Sequence, residues 1–84
     1  MCTYVTTTAA VAGSAYNGDD WFATDRAVVY FDHPQDAALD HALCIDVWGG
    51  RERVAVELDA DSARRLAESI LAILDDDEVR VLTG

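Results

Sequence analysis

Four residues of this chain, Cys2, His33, His41 and Cys44, carry thiol or imidazole side chains, and the sequence contains no other cysteine or histidine. Thiolate and imidazole groups suit zinc or copper when three or four of them converge. If the segment from His41 onward is a strand, Cys44 points away from the side of His41, because three positions separate them. The sequence therefore favours a metal site of Cys2, His33 and His41. A carboxylate could complete it, from Asp32, Asp36 or Asp40.

Two of these residues could also take part in catalysis. Cys2 would become an amino-terminal nucleophile if Met1 were removed, with its own α-amine as the base. His33 follows Asp32, a carboxylate that could orient an imidazole, although adjacent residues of a strand point to opposite sides. Catalytic roles for Cys2 and His33 are thus one hypothesis. The other is a buried free thiol with two hydrogen-bonded or solvated histidines.

A second candidate surface consists of Tyr30, Asp46 and Trp48. In a strand that begins at His41, alternation places Asp46 and Trp48 on the same side, and Tyr30 could share that side from the preceding strand. One helix cannot cover both faces of a sheet, so this face should stay open and partly apolar. The three residues are therefore candidate ligand-binding residues, and the open face favours a homodimer or a small-molecule site.

Turn signals and alternation define the strands that must position these residues. An Asn-Gly pair within residues 13–20 indicates an exposed loop, and Gly49-Gly50 indicates a hairpin. Proline at position 34 ends a strand, and residues 35–40 should form a helical turn or a loop. The predicted strands cover residues 2–11, 21–32, 41–48 and 53–59.

Hydrophobic periodicity predicts one helix over residues 60–75, with Asp59 as its N-cap. Its apolar positions, which include Leu66 and Ile70, should be buried against the apolar rows of the last two strands. Residues 79–82 could form a short fifth strand or a tail. The predicted fold is α+β, with two layers in a single domain over residues 1–84. It comprises a four- to five-stranded antiparallel sheet and one C-terminal amphipathic helix packed on one face.

Composition limits the function. The chain has 84 residues, 16 acidic and 6 basic residues, and a formal net charge of -10, and its basic residues are all arginine. Such a charge excludes nucleic-acid binding by phosphate neutralisation and disfavours anionic membranes. No phosphate-binding glycine loop is present, so no nucleotide cofactor is expected. The first residues lack the features of a secretory signal, and we expect a cytoplasmic protein with reduced thiols.

The segments MCTYVTT, VYFDHP, HAL-x-ID and VAVELD…SARRLAESIL resemble a small uncharacterised family of actinobacterial proteins, over residues 1 to about 74. The resemblance implies a bacterial cytosolic origin and no particular activity. Two functions remain after the sequence is read. One is a protein that binds a small molecule or a metal ion, zinc or copper, through its Cys, His and Asp residues, with catalysis in secondary metabolism as an extension. The other is an acidic interaction module, similar to an immunity protein or antitoxin, that inhibits a basic protein partner.

Overall fold

The computed structural model describes residues 2–33 and 41–84, which form four strands followed by two helices. The strands pair antiparallel in the order β1-β2-β3-β4, so each strand lies beside its neighbour in sequence. This confirms the α+β class, the four-stranded antiparallel sheet and the C-terminal helix. The prediction for residues 35–40 lies outside the described residues. The elements are β1 (Cys2–Tyr16), β2 (Trp21–His33), β3 (Ala42–Gly49), β4 (Glu52–Leu58), α1 (Ala60–Leu74) and α2 (Asp77–Thr83).

The first hairpin is longer than its sequence indicates, because β1 continues to Tyr16 and leaves only residues 17–20 as the loop. Asn17 organises this loop, since its Oδ1 accepts the backbone N–H groups of Asp19 and Asp20 at 2.9 and 3.0 Å. Gly18 has a φ of 102°, a conformation that glycine adopts without steric cost. The small residues before Asn17 therefore extend the strand and do not form a loop.

The second hairpin turns at Gly50 and Arg51, with Gly49 paired to Glu52. A positive φ of 58° at Gly50 alone fits a type II′ turn, which matches the twist of the strands. The Gly50 N–H donates to Asp25 Oδ2 at 3.2 Å, and this bond together with Arg26 lowers the pKa of Asp25. The turn is thereby tied to β2, the strand that also pairs with β3.

The helix α1 begins and ends as its sequence predicts. Asp59 is the N-cap, and its carboxylate accepts the Ser62 N–H at 2.7 Å, which lowers the pKa of Asp59. The helix ends at Leu74, with Asp75 as its C-cap, and Asp75 is also the first residue of an acidic run at 75–78. The prediction of a fifth strand at 79–82 is wrong, because these residues belong to α2. Asp76 caps α2 by accepting the Glu78 N–H at 2.9 Å, so the same acidic run ends one helix and starts the next.

The two faces of the sheet differ in how they are covered. We call the face beneath α1 the helix-side face; its residues Phe31, Leu43 and Ile45 line a groove of about 440 Å³ between sheet and helix. We call the opposite face the polar face. It contains the side chains that are buried among the described residues, namely Asp32, Ala42, Cys44 and Asp46. The polar face is thus closed at its centre, whereas the sequence predicts an open one.

The packing of α1 also differs from the expectation. Leu43, Ile45 and Leu58 do lie opposite the helix, as predicted, but no residue of α1 is buried. Leu66 and Ile70 are 44% and 52% exposed, so they are not core residues within one chain. The groove separates most of the helix from the sheet. Periodicity identifies the apolar side of a helix correctly but does not identify what covers it.

Candidate functional site

The two histidines lie together at one end of the helix-side face. Asp32 pairs with Ala42, and His33 and His41 are the next residues outward on their two chain segments. Their ring centroids are 5.5 Å apart, with an interplanar angle of 59°. Both residues are exposed. The antiparallel pairing of β2 and β3 therefore brings together two of the three residues in the predicted metal site.

Aromatic side chains hold His41 in place beside His33. The His41 ring is stacked with Phe31 at a centroid distance of 6.1 Å and an interplanar angle of 2°. Tyr4 contacts the same ring from the other hairpin strand at 5.9 Å. The β1–β2 register shifts between Thr3 and Val5, which leaves Tyr4 in an irregular position of the strand. Such a bulge re-aims a side chain, and here Tyr4 packs toward Phe31 and His41.

The backbone register also brings the third predicted ligand to this end of the sheet. Cys2 is the Cα partner of His33 in the β1–β2 ladder. Asp36 and Asp40, which the sequence offered as further ligands, lie outside the described residues. Within the described part of the chain, no three His, Cys, Asp or Glu side chains converge. The structure therefore provides a histidine pair with the Cys2 backbone beside it.

Asp32 occupies a different environment from the histidines. It is 1% exposed and lies on the polar face, and its Oδ1 accepts the backbone N–H of His33 at 2.7 Å. This bond fixes the main chain at the end of β2. The structure therefore assigns the Asp32 carboxylate a bond to the backbone of His33, whereas the sequence suggested a bond to its imidazole.

The predicted ligand-binding residues share the polar face, and two of them bond to each other. The Tyr30 hydroxyl donates to Asp46 Oδ2 at 3.1 Å, and Arg53 lies 3.7 Å from the same oxygen. Burial, together with the bond to Asp46, raises the pKa of Tyr30 to about 12. Tyr30 consequently remains a hydrogen-bond donor throughout the physiological pH range.

Trp48, the third predicted residue of this surface, is contacted by two arginines. The guanidinium carbons of Arg26 and Arg53 lie 5.0 and 5.6 Å from its ring centroid, which is cation–π distance. Both arginines are Cα partners of Trp48, one on β2 and one on β4. Sequence reasoning missed them because their positions depend on the register of three strands. A two-residue turn at Gly49-Gly50 would place Arg51 opposite Trp48. The turn lies one residue later, at Gly50 and Arg51, and therefore places Arg53 opposite Trp48.

Cys44 lies at the centre of the polar face and is 1% exposed. Burial raises the pKa of its thiol, and the nearby carboxylates of Glu57, Asp32 and Asp46 act in the same direction. The thiol donates to the Ala42 carbonyl oxygen at 3.7 Å. A buried thiol with a raised pKa is a poor nucleophile and a poor metal ligand. This agrees with the exclusion of Cys44 from the predicted metal site.

The fold and this geometry define a small α+β protein with an exposed histidine pair at one end of a four-stranded meander. The chain belongs to DUF6295, a family of unknown function, whose model matches residues 1–83. Neither a curated protein nor a solved structure matches the chain. Among the residues that the structure describes, no helix has the length and apolar character needed to cross a membrane.

Proposed function

We propose that this protein binds a transition-metal ion, zinc or copper, through His33, His41 and Cys2. The observation that carries the proposal is the distance between the two imidazole rings. In a tetrahedral site with zinc–nitrogen distances of about 2.0–2.1 Å, the centres of two coordinating rings stand about 5.2 Å apart. The His33 and His41 centroids are 5.5 Å apart, close to this spacing.

Cys2 is the third ligand of the proposed site. Its pairing with His33 supports this role, since Cα partners in an antiparallel ladder are about 4.5–5.5 Å apart. Cys44, the other thiol of the chain, is buried on the opposite side of the sheet. A thiolate and two imidazoles are a ligand set that zinc and copper accept.

Three protein ligands leave a fourth coordination position for water or a small molecule. A metal ion in such a site can polarise a bound carbonyl or lower the pKa of bound water. Small-molecule binding, and catalysis within secondary metabolism, would therefore depend on this open position. In that case Cys2 and His33 would contribute to catalysis as ligands of the ion. They would not act directly on the substrate as a nucleophile and a base.

We infer that the protein works in the cytoplasm of an actinobacterium. The lysine-free composition and the resemblance of the MCTYVTT opening support this origin. A reducing compartment keeps thiols free, and a free Cys2 thiol is what the proposed site requires.

Calorimetric titration of the purified, metal-free protein with Zn²⁺ tests the proposal. We expect one ion per chain, and we expect His33→Gln and His41→Gln to weaken binding by at least about 100-fold, because even outer-shell partners contribute about 10- to 100-fold. Cys2→Ala should weaken binding to a similar extent. Cys44→Ala is the matched control, since it removes the other thiol and should leave Zn²⁺ affinity unchanged. Wild-type protein that binds no Zn²⁺, or histidine variants with wild-type affinity, would show that the proposal is wrong.

A further inference from the structure

The apolar side of α1 remains largely exposed. Among its residues only Ser62 and Ala63 are partly covered, both in the first turn. Leu71 and Ile73 are 59% and 65% exposed. At 100° per residue the apolar positions of α1, apart from Ala72, span about 160°, whereas a helix that rests on one surface needs a stripe of about 100°. The helix therefore has more apolar surface than its own sheet can cover.

The exposed apolar surface continues from the helix onto the sheet. Val5 of β1 is paired with Phe31, and Val56 of β4 is paired with Ile45; both partners line the groove. Directly paired residues lie on the same side of a sheet, so Val5 and Val56 belong to the helix-side face. Both are exposed. The exposed apolar surface thus includes α1 and both outer strands.

The accessible area of the chain is larger than that of a compact monomer. It exposes 6358 Å², whereas a monomer of 9.1 kDa is expected to expose about 4,900 Å². Its radius of gyration is 14.6 Å, compared with about 12 Å expected for this length. The excess of about 1,450 Å² exceeds the ~800 Å² that each partner buries in a standard interface and lies within the range of obligate dimers.

The charge distribution around the helix-side face favours a second copy of the chain over a basic protein as the partner that covers it. Of the described residues that line the groove, Arg64 alone is charged, and it is positive. The carboxylates of α1 at Asp61 and Glu68 lie on the opposite side of the helix, at 100° per residue. A strongly basic protein would find few acidic contacts on this surface. Two identical apolar surfaces can meet while most of their negative charges remain in solvent.

We propose that a second copy of this chain covers the helix-side face. The resulting dimer is isologous, with the exposed apolar side of α1 in each copy packed against the helix-side face of its partner. The partner's apolar side chains then provide the core that a single chain lacks, because no residue of α1 is buried within one chain. This inference is independent of the proposed metal site.

Sedimentation equilibrium, with a chelator present so that metal cannot link two chains, tests the dimer. We expect wild-type protein to have twice the 9.1 kDa monomer mass at micromolar concentration. Leu71→Glu and Ile73→Glu should raise the dimer dissociation constant by at least about 100-fold, because each buries a carboxylate in an apolar interface. Both side chains are more than half exposed in the single chain, so neither substitution should disturb the fold of one copy.

Ala72→Glu is the matched control, since it adds the same charge on the polar side of the same helix and should leave the dimer intact. A urea midpoint that rises with protein concentration would provide independent support if a variant fails to fold. Wild-type protein that is monomeric at high micromolar concentration would overturn the proposal. It would also be overturned if Ala72→Glu weakened association as much as Leu71→Glu. A monomer that binds a basic protein or an apolar small molecule at this face would assign the surface to that partner and refute the dimer.

Discussion

The burial of Tyr30 and its bond to Asp46 make the stability of this protein depend on pH in the alkaline range. Burial and this bond raise the pKa of Tyr30 from its usual 10.0 to about 12 in the folded chain. The folded state therefore binds the phenolic proton more tightly than the unfolded state does. The resulting stabilisation is fully present below about pH 10 and is lost as pH rises through about 12.

The size of the effect follows from the difference between the two pKa values. A difference between 10 and about 12 corresponds to about 2.7 kcal/mol of unfolding free energy. Partial exposure of Tyr30 and solvent screening reduce this value, so we expect a loss of about 1–2 kcal/mol. The lysine-free sequence simplifies this pH range, because arginine stays protonated and only tyrosine and cysteine side chains titrate there.

Urea unfolding of wild type, Tyr30→Phe and Tyr16→Phe at about pH 9 and about pH 11 tests this reasoning. Wild type and Tyr16→Phe should lose stability between the two pH values, while Tyr30→Phe should lose clearly less. At the lower pH, Tyr30→Phe should already be less stable by about 1–3 kcal/mol, because Asp46 loses a hydrogen-bond donor. Tyr16 is the matched control, since its hydroxyl donates to Gly18 in an exposed loop. Equal pH dependence in Tyr30→Phe and Tyr16→Phe would refute the assignment.

Three further predictions concern the framework of the site. Gly49→Ala should destabilise the protein by about 1–3 kcal/mol in urea unfolding, because the added Cβ would clash with the Ala23 carbonyl oxygen. In Gly13→Ala the added Cβ would make only an ordinary contact at 3.7 Å, so this control substitution should have little effect. Asp59→Ala should reduce the helical circular dichroism signal, because the helix loses its N-cap. In wild type the cap should weaken as pH falls through the lowered pKa of Asp59, and the helical signal should fall with it. A wild-type helical signal that does not change at acid pH would contradict this prediction. Cys44 should resist thiol reagents in folded Cys2→Ala protein and react once urea is added; rapid reaction of the folded protein would contradict its burial.

Local signals account for the parts of the fold that the sequence predicts well. The second hairpin follows from a glycine pair between two alternating runs, and α1 follows from its Asp59 cap and its periodicity. The helix α2 was missed because Val79 to Leu82 is rich in β-branched and apolar residues, which favour a strand. The preceding acids favour a helix, because Asp76 is its N-cap and Asp77 and Glu78 occupy its first turn.

The candidate site was predictable in part for the same reason. His33 and His41 flank the connection between two strands, so an antiparallel pairing brings them together. Tyr4 was not predictable, because its position depends on a register shift in β1 that no sequence signal indicates. The exposure of Leu66 and Ile70 was also unpredictable from one sequence. Periodicity shows that these residues form an apolar side of the helix, but it does not show whether that side packs against the same chain or against a second copy.

The absorption spectrum of the metal-free protein after addition of one equivalent of Co²⁺ per chain tests the proposed metal site at His33, His41 and Cys2. Co²⁺ accepts nitrogen and sulfur ligands similar to those of zinc and reports their identity and geometry. We expect an intense thiolate-to-cobalt charge-transfer band together with the visible bands of tetrahedral cobalt. Both should be lost in Cys2→Ala and His41→Gln and retained in Cys44→Ala. A spectrum identical to that of hydrated Co²⁺ would contradict a metal site at His33 and His41.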